Sequence, residues 1–232
     1  DVSSQEQRIA RLDADERSAA DAQSVACAAL RAAREKTAQK LARNVEAELA
    51  ALGLERCRFG VAIEPVDPDA GGADRVTFRI APNPGEPFAP LQDIASGGEL
   101  SRIMLGLEVV LAAEDRTPVL VFDEVDAGVG GRLGEVVGRA LWSLARRHQV
   151  LCVSHLAQVA AYADAHVKVR KEVQGGRTHV TAERLTARDS ATELADMLGA
   201  SGSAKSLAAG ARELQGGAAA WKVKAANGLS GR

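Results

Sequence analysis

From about Ser3 to Leu54 the chain contains no proline, and its single glycine in that stretch is Gly53. Ala, Glu, Arg, Lys, Gln and Leu dominate, and all favour helix. Apolar and small residues recur at Leu30, Ala33, Thr37, Leu41, Val45, Leu49 and Leu52, at spacings of three and four, which is one helical stripe. The first half is thinner, with Ile9 and Leu12 followed mostly by Ala. A helix of this length spans roughly 75 Å at 1.5 Å per residue, too long for a compact domain. It reads as one strand of a coiled-coil arm over residues 1–54, the alternative being an amphipathic helix packed on its own domain. Gly53 is the stop signal.

After that stop the periodicity changes. Arg58 to Pro65 and Arg75 to Pro82 alternate apolar and polar residues (Phe59, Val61, Ile63; Val76, Phe78, Ile80) around the turn-rich segment DPDAGGAD. This predicts a β-hairpin with a loop longer than the minimal turn. Asn83 to Pro90 reads as a loop. From Glu99 the pattern is helical again, with Leu100, Ile103, Met104, Leu107, Val110 and Leu111 on one face. Pro118 to Phe122 and Val150 to Val153 are short apolar runs and read as buried strands, with a helix from about Leu133 to Arg147 between them. A short helix over 156–163 follows, then a second hairpin, Val167 to Arg170 and Thr178 to Leu185, around a Gly-Gly turn. Two helices, about Ala191 to Leu198 and Ser203 to Leu214, close the fold. The Gly/Ala-rich segment 216–232 reads as a loose tail. Strand, helix, strand, helix in the centre predicts an α/β lobe over 55–215 with a parallel layer, whose chemistry sits at the carboxyl ends of the strands.

Several classes drop out on composition. No apolar run approaches the ~20 residues that span a bilayer. The charged start is not a signal peptide, and a chain that begins without Met in mid-pattern reads as a piece of something longer. Net charge is −2, so any nucleic-acid contact must come from local patches such as Arg146-Arg147-His148 or Lys168, Arg170 and Lys171. Three scattered cysteines, Cys27, Cys57 and Cys152, form no CxxC; they fit a reducing compartment and argue against a zinc site.

The chemistry concentrates at three places. The first strand ends in Asp123-Glu124: one carboxylate emerging from a strand can order Mg²⁺ at a nucleotide, and the next can act as general base on water. Alone, that pair could equally cap a helix. Ser96-Gly97-Gly98-Glu99 opens a helix, where backbone N–H groups unobstructed by Cβ can meet an anion. The second strand ends in Ser154-His155.

In this order the motifs resemble the C-terminal lobe of an ABC-type ATPase head. Ser96, Gly97, Gly98 and Glu99 look like the signature motif, Asp123 and Glu124 like Walker B, Asp126 like the D-loop, and His155 like the H-loop histidine. The stretches SGGELSRIMLGLE, VLVFDEVDAGVGG and VLCVSHLAQVAAYADAHVKVRK are closer still to RecN, a family of SMC-like bacterial DNA repair proteins. Ala95 and Glu99 replace the Leu and Gln usual in transporters, which leans the same way. The resemblance implies ATP and Mg²⁺ as cofactors, with Ser96, Gly97 and Gly98 touching the γ-phosphate in an opposing head. It further implies Asp123 ordering Mg²⁺ through water, Glu124 activating the attacking water, His155 contacting the γ-phosphate in its own head, and Asp126 coupling the two sites across the dimer. It also implies an ATP-dependent homodimer, DNA as a partner in double-strand-break repair, and a cytoplasmic, nucleoid-associated setting without a membrane. Other SMC-like ATPases, or a non-catalytic coiled-coil scaffold, are the competing readings.

One part is missing from the 232 residues. No GxxxxGK[ST] occurs; the nearest segment, Gly199 to Ser206, carries Ala204 at the second glycine and follows a helix rather than a strand. It reads as a turn between helices with Ser203 as N-cap. The chain is therefore expected to need an N-terminal lobe carrying Walker A, and to turn over little ATP alone.

Overall fold

The computed structural model describes residues 2–94, 96–174, 177–199 and 203–228. Ala95, the Gly-Gly turn expected in the second hairpin, and residues 200–202 and 229–232 lie outside the described residues. Helix α1 (Val2–Ala51) is unbroken over 50 residues. It ends where the sequence demands: Gly53 adopts φ +79°, its N–H donates to Ala50 O (3.2 Å), and Leu54 N–H reaches back to Leu49 O (2.8 Å). This is a Schellman stop, which a Cβ would oppose through both backbone conformation and a 2.4 Å approach to Leu133 Cδ2.

The chain divides into two compact units, Asp1–Ala47 with Arg56–Asp93, and Glu48–Glu55 with Ile94–Arg232. The first hairpin thus groups with the arm rather than with the lobe that the sequence assigned to 55–215. In the first unit, β1 (Arg58–Asp69) pairs antiparallel with β2 (Gly72–Ala81), and β2 with the two-residue β3 (Ala89–Pro90), which leads into a 3₁₀ turn (Leu91–Asp93). The strands run further into DPDAGGAD than the pattern predicts. A register shift between Pro65 and Asp69 absorbs the proline-containing segment. The turn then closes over two residues, with Gly71 N–H donating to Asp69 Oδ1 (2.7 Å) and Gly72 at φ +106°. Arg31 Nε and Arg34 Nη1 of α1 donate to the buried carboxylate of Asp74 (2.7 and 3.2 Å). The predicted stripe splits in consequence. Val45 is buried, whereas Leu30, Ala33 and Thr37 border an open apolar groove with Val61, Ile63 and Phe78. Ile9, Leu12 and Val25 stand exposed.

The second unit is the α/β lobe. Its elements are α2 (Gly97–Leu111), β4 (Val119–Phe122), α3 (Gly131–Leu144), β5 (Gln149–Cys152), α4 (Ala157–Ala160), the hairpin β6 (Val167–Gln174) and β7 (Arg177–Arg184), α5 (Ala187–Met197) and α6 (Ala204–Ala226). β4 and β5 pair in parallel, from Val119↔Gln149 to Phe122↔Cys152. Their inner face joins Leu52, Leu105, Val125, Val137, Leu141 and Leu144 in the core. The outer face corrects the expectation of fully buried strands: Val121, Leu151 and Val153 are 67%, 51% and 64% exposed. An unbroken apolar run records that both faces suit burial, and this lobe supplies cover for one.

The end of the chain is the other correction. Past Gly216 the chain stays helical, with α6 running on to Ala226. Ser203 caps the start of that helix, accepting from Ser206 N–H (3.2 Å). Trp221 packs edge-on to Trp142 and Tyr162 (centroids 5.7 and 5.8 Å), Arg139 lies over its ring, and Lys222 bonds Asp164 (2.7 Å). Two helix-weakening glycines are outweighed by that aromatic anchor. Trp221→Ala should cost on the order of 2 kcal/mol in urea unfolding and strip amide-exchange protection from residues 218–226. A tail that exchanges freely in the parent protein would contradict the packing.

Candidate functional site

Because β4 and β5 run parallel, their carboxyl ends lie together. Val153 N–H continues the ladder to Phe122 O (2.9 Å), so Asp123-Glu124 and Ser154-His155 leave the sheet side by side. Asp123, Glu124 and His155 are exposed, and Asp126 is 1% exposed. Glu124 takes φ +54°, the one non-glycine residue in the left-handed region among the described residues. A tight turn follows, with Ala127 N–H donating to Glu124 O (3.0 Å) and Val129 N–H to Asp126 O (3.1 Å).

The start of α2 lies against this turn. Ser96 caps the helix, accepting weakly from Glu99 N–H (3.4 Å). Gly97 is exposed and Gly98 buried. A Cβ at Gly98 would come 2.7 Å from Ala127 Cβ and 3.3 Å from Glu124 O, and one at Gly97 would come 3.1 Å from Glu124 Oε2. The glycine pair therefore lets the helix seat on the acidic turn. Ser96, Gly97 and Glu124 of one chain come together, which the sequence order alone did not indicate.

Two residues one turn further along α2 escaped the sequence reading. Ser101 Oγ donates to Asp123 O (2.7 Å), and Arg102 Nη1 donates to Ala127 O (2.8 Å). Arg102 is buried, and burial pushes its guanidinium pKa down, with Glu99 opposing that shift. The available signal was a cation set within the buried face of the helix, beside Gly98, Ile103 and Leu105.

Asp126 is held by the strand ends of its own lobe. Its Oδ2 accepts from Ser154 Oγ (2.5 Å), His155 N–H (2.9 Å) and Leu156 N–H (3.2 Å), with His155 Nδ1 3.2 Å away. The carboxylate is thus turned into its own lobe, where it ties the ends of β4 and β5 together. His155 keeps a side chain 72% exposed and is positioned through that tie.

Each basic cluster keeps two residues on one side: Arg146 and Arg147 are both exposed, and Lys168 and Arg170 share a face of β6. His148 is buried with Nδ1 2.7 Å from Thr117 O, and Arg146 lies over the Trp142 ring. Lys168 pairs with Glu193, and Lys171 falls on the opposite face of its strand from Arg170. Among the described residues no cluster of three or more His, Cys, Asp or Glu could cage a metal. A lone exposed carboxylate such as Asp123 suits Mg²⁺, which keeps waters and takes phosphate oxygens. No described helix is long and apolar enough to cross a membrane.

No family model matches the chain. Sequence relatives do. The DNA repair protein RecN of Deinococcus radiodurans is 42% identical over 222 residues, covering 91% of this chain and 39% of the relative. RecN of Vibrio cholerae is 36% identical, covering 90% of this chain and 40% of the relative. The chain belongs to the RecN family and matches the C-terminal part of its members. It spans about two fifths of the length of these RecN relatives. Treponema pallidum RecN agrees, at 42% identity over 81% of this chain and 35% of its own. A weaker likeness is the Smc head domain with an extended coiled coil from Pyrococcus furiosus. It is 18% identical with a TM-score of 0.45, covering 68% of this chain and 38% of that one.

The Asp126 tie is testable without any ligand. Asp126→Ala leaves the Ser154 hydroxyl and the His155 N–H without their acceptor, while Leu156 N–H keeps Ser154 Oγ (3.1 Å), and should cost roughly 3 kcal/mol in urea unfolding. Asp126→Asn should cost less. Stability unchanged by both would mean that the carboxylate is not what holds the two strand ends.

Proposed function

We propose that this chain is the C-terminal lobe of a RecN-type, SMC-like head that binds and hydrolyses ATP in DNA double-strand-break repair. The observation that carries the reading is the gathering of Asp123, Glu124 and His155 at one sheet edge, with the Ser96-Gly97-Gly98 helix start seated against the same turn. Glu124 is exposed and orients the attacking water as general base. His155, held by Asp126, presents its ring to the γ-phosphate of its own head. Asp123 would hold Mg²⁺ through water, and the ion would neutralise phosphate charge. Ser96 and the N–H groups of Gly97 and Gly98 offer an anion site to the γ-phosphate bound by a second head. Glu99 lies in the first turn of α2.

The phosphate cradle has to come from another lobe, since no Walker A occurs in the sequence. The open outer face of β4 and β5, with Val121, Leu151 and Val153, supports this: an exposed parallel pair of apolar strands suits cover by further structure. We place the N-terminal lobe there. ATP-dependent homodimerisation, engagement of DNA and nucleoid association belong to this proposal by family.

The deciding experiment compares ATP turnover and dimerisation of this chain alone and together with an N-terminal lobe carrying Walker A. Turnover is expected only in the mixture. Glu124→Gln should cut turnover by roughly 100-fold or more and leave an ATP-trapped dimer, whereas a scaffold would not respond to that change. Val121→Glu should leave this lobe folded and abolish reconstitution. Appreciable turnover by this chain alone would falsify the split-site reading.

A further inference from the structure

We infer that Arg102 and Ser101 are positioning residues that lock the start of α2 to the turn carrying Glu124, so that helix and turn move as one body. The inference rests on the ATPase reading and adds to it a route: contact with phosphate at the α2 N-terminus in one nucleotide site is transmitted to the general base of the same chain, serving the other site.

Glu124 holds a left-handed backbone that L-residues keep only where their surroundings impose it. The imposition is visible on both flanks. On the N-terminal side, Asp123 O accepts the Ser101 hydroxyl (2.7 Å). On the C-terminal side, Ala127 O accepts Arg102 Nη1–H (2.8 Å), while Ala127 N–H returns to Glu124 O (3.0 Å). The two clamps come from consecutive residues of one helix and bracket the peptide units around the general base. Between them, Gly98 leaves no slack against Ala127, because even a methyl group would not fit at 2.7 Å. A shift of α2 along its axis therefore has to carry Glu124 with it.

The chemistry of Arg102 is costly for mere packing. Its guanidinium is buried, and Nε has no hydrogen-bond partner among the described residues. An apolar residue of similar volume would fill the space without burying a charge. What only a long donor supplies here is a directed bond to one carbonyl at the far end of the turn. Neither residue touches the reacting atoms; both act through Glu124.

The test uses the chain reconstituted with an N-terminal lobe, in the parent form and as Arg102→Met, Arg102→Lys and Ser101→Ala. For Arg102→Met, kcat should fall roughly 10- to 100-fold, the scale of a small misplacement of a catalytic group. The KM for ATP, and the ATP-trapped dimer formed in an added Glu124→Gln background, should stay within about threefold of the parent, an allowance for residual changes in binding. Arg102→Lys should recover part of kcat, and Ser101→Ala should lose a smaller part. Amide exchange at Ala127 and Val129 should quicken in each variant. The inference is overturned if folded Arg102→Met keeps its kcat. It is equally overturned if kcat, KM and dimerisation decline together with the folded fraction, which is what a structural residue would produce. Should Arg102→Met not fold, Ser101→Ala and Arg102→Lys carry the same kcat-against-KM comparison. Absence of turnover in the parent complex is a separate outcome: it removes the ATPase reading, and this inference with it, before any variant is compared.

Discussion

The contact between Gly98 and Ala127 is the constraint around which the site is built. Helix and turn meet at backbone distance, so the residue at 98 must lack a Cβ, and the turn after β4 must present its carbonyls outward. Once these are met, Ser101 and Arg102 fall at the two ends of the turn, and Glu124 is bent into its left-handed conformation with its carboxylate beside Gly97. A loosely packed helix would leave the acidic pair on a flexible loop. Close-packed interiors transmit displacement because their elements cannot slide independently.

The second organising interaction is the Asp126 carboxylate. One oxygen gathers donors from Ser154, His155 and Leu156, joining the end of one parallel strand to the end of the next. A buried anion needs such donors to be tolerated at all. The same bonds aim the exposed His155 ring. Asp126 thus has a role within its own lobe, and its coupling of two heads belongs to the proposal. Any effect of Asp126 on a dimer is then proposed to pass through the strand ends it holds.

The lobe leaves one side of its parallel pair open, and the arm unit leaves an apolar groove beside Leu30 and Thr37. For the β-pair, a second lobe is the proposed cover. How well each element could be read from sequence varies with the kind of signal. Helix α1 was legible because fifty residues without proline and with a periodic stripe allow little else. The motifs at Ser96, Asp123 and His155 were legible as chemistry at strand and helix ends. The continuation of α6 was not, since two adjacent glycines argue locally against helix and only the Trp142–Trp221–Tyr162 packing reverses that balance. The short loop of the first hairpin was missed for a similar reason: a bulge accommodates the proline-containing segment that the pattern treats as loop.

The long helix and its glycine stop, the alternation of strands and helices, and the side chains suited to phosphate chemistry are all legible along the chain. Those are consequences of local propensity and periodicity, written residue by residue. Packing was needed to turn Asp126 inward, to leave the apolar strands an open face, and to bring Arg102 to the turn behind Glu124. Each depends on which atoms from distant parts of the chain arrive at the same place. A partner 25 residues away along the chain, as Ala127 is from Arg102, leaves no periodic trace in the sequence around either one.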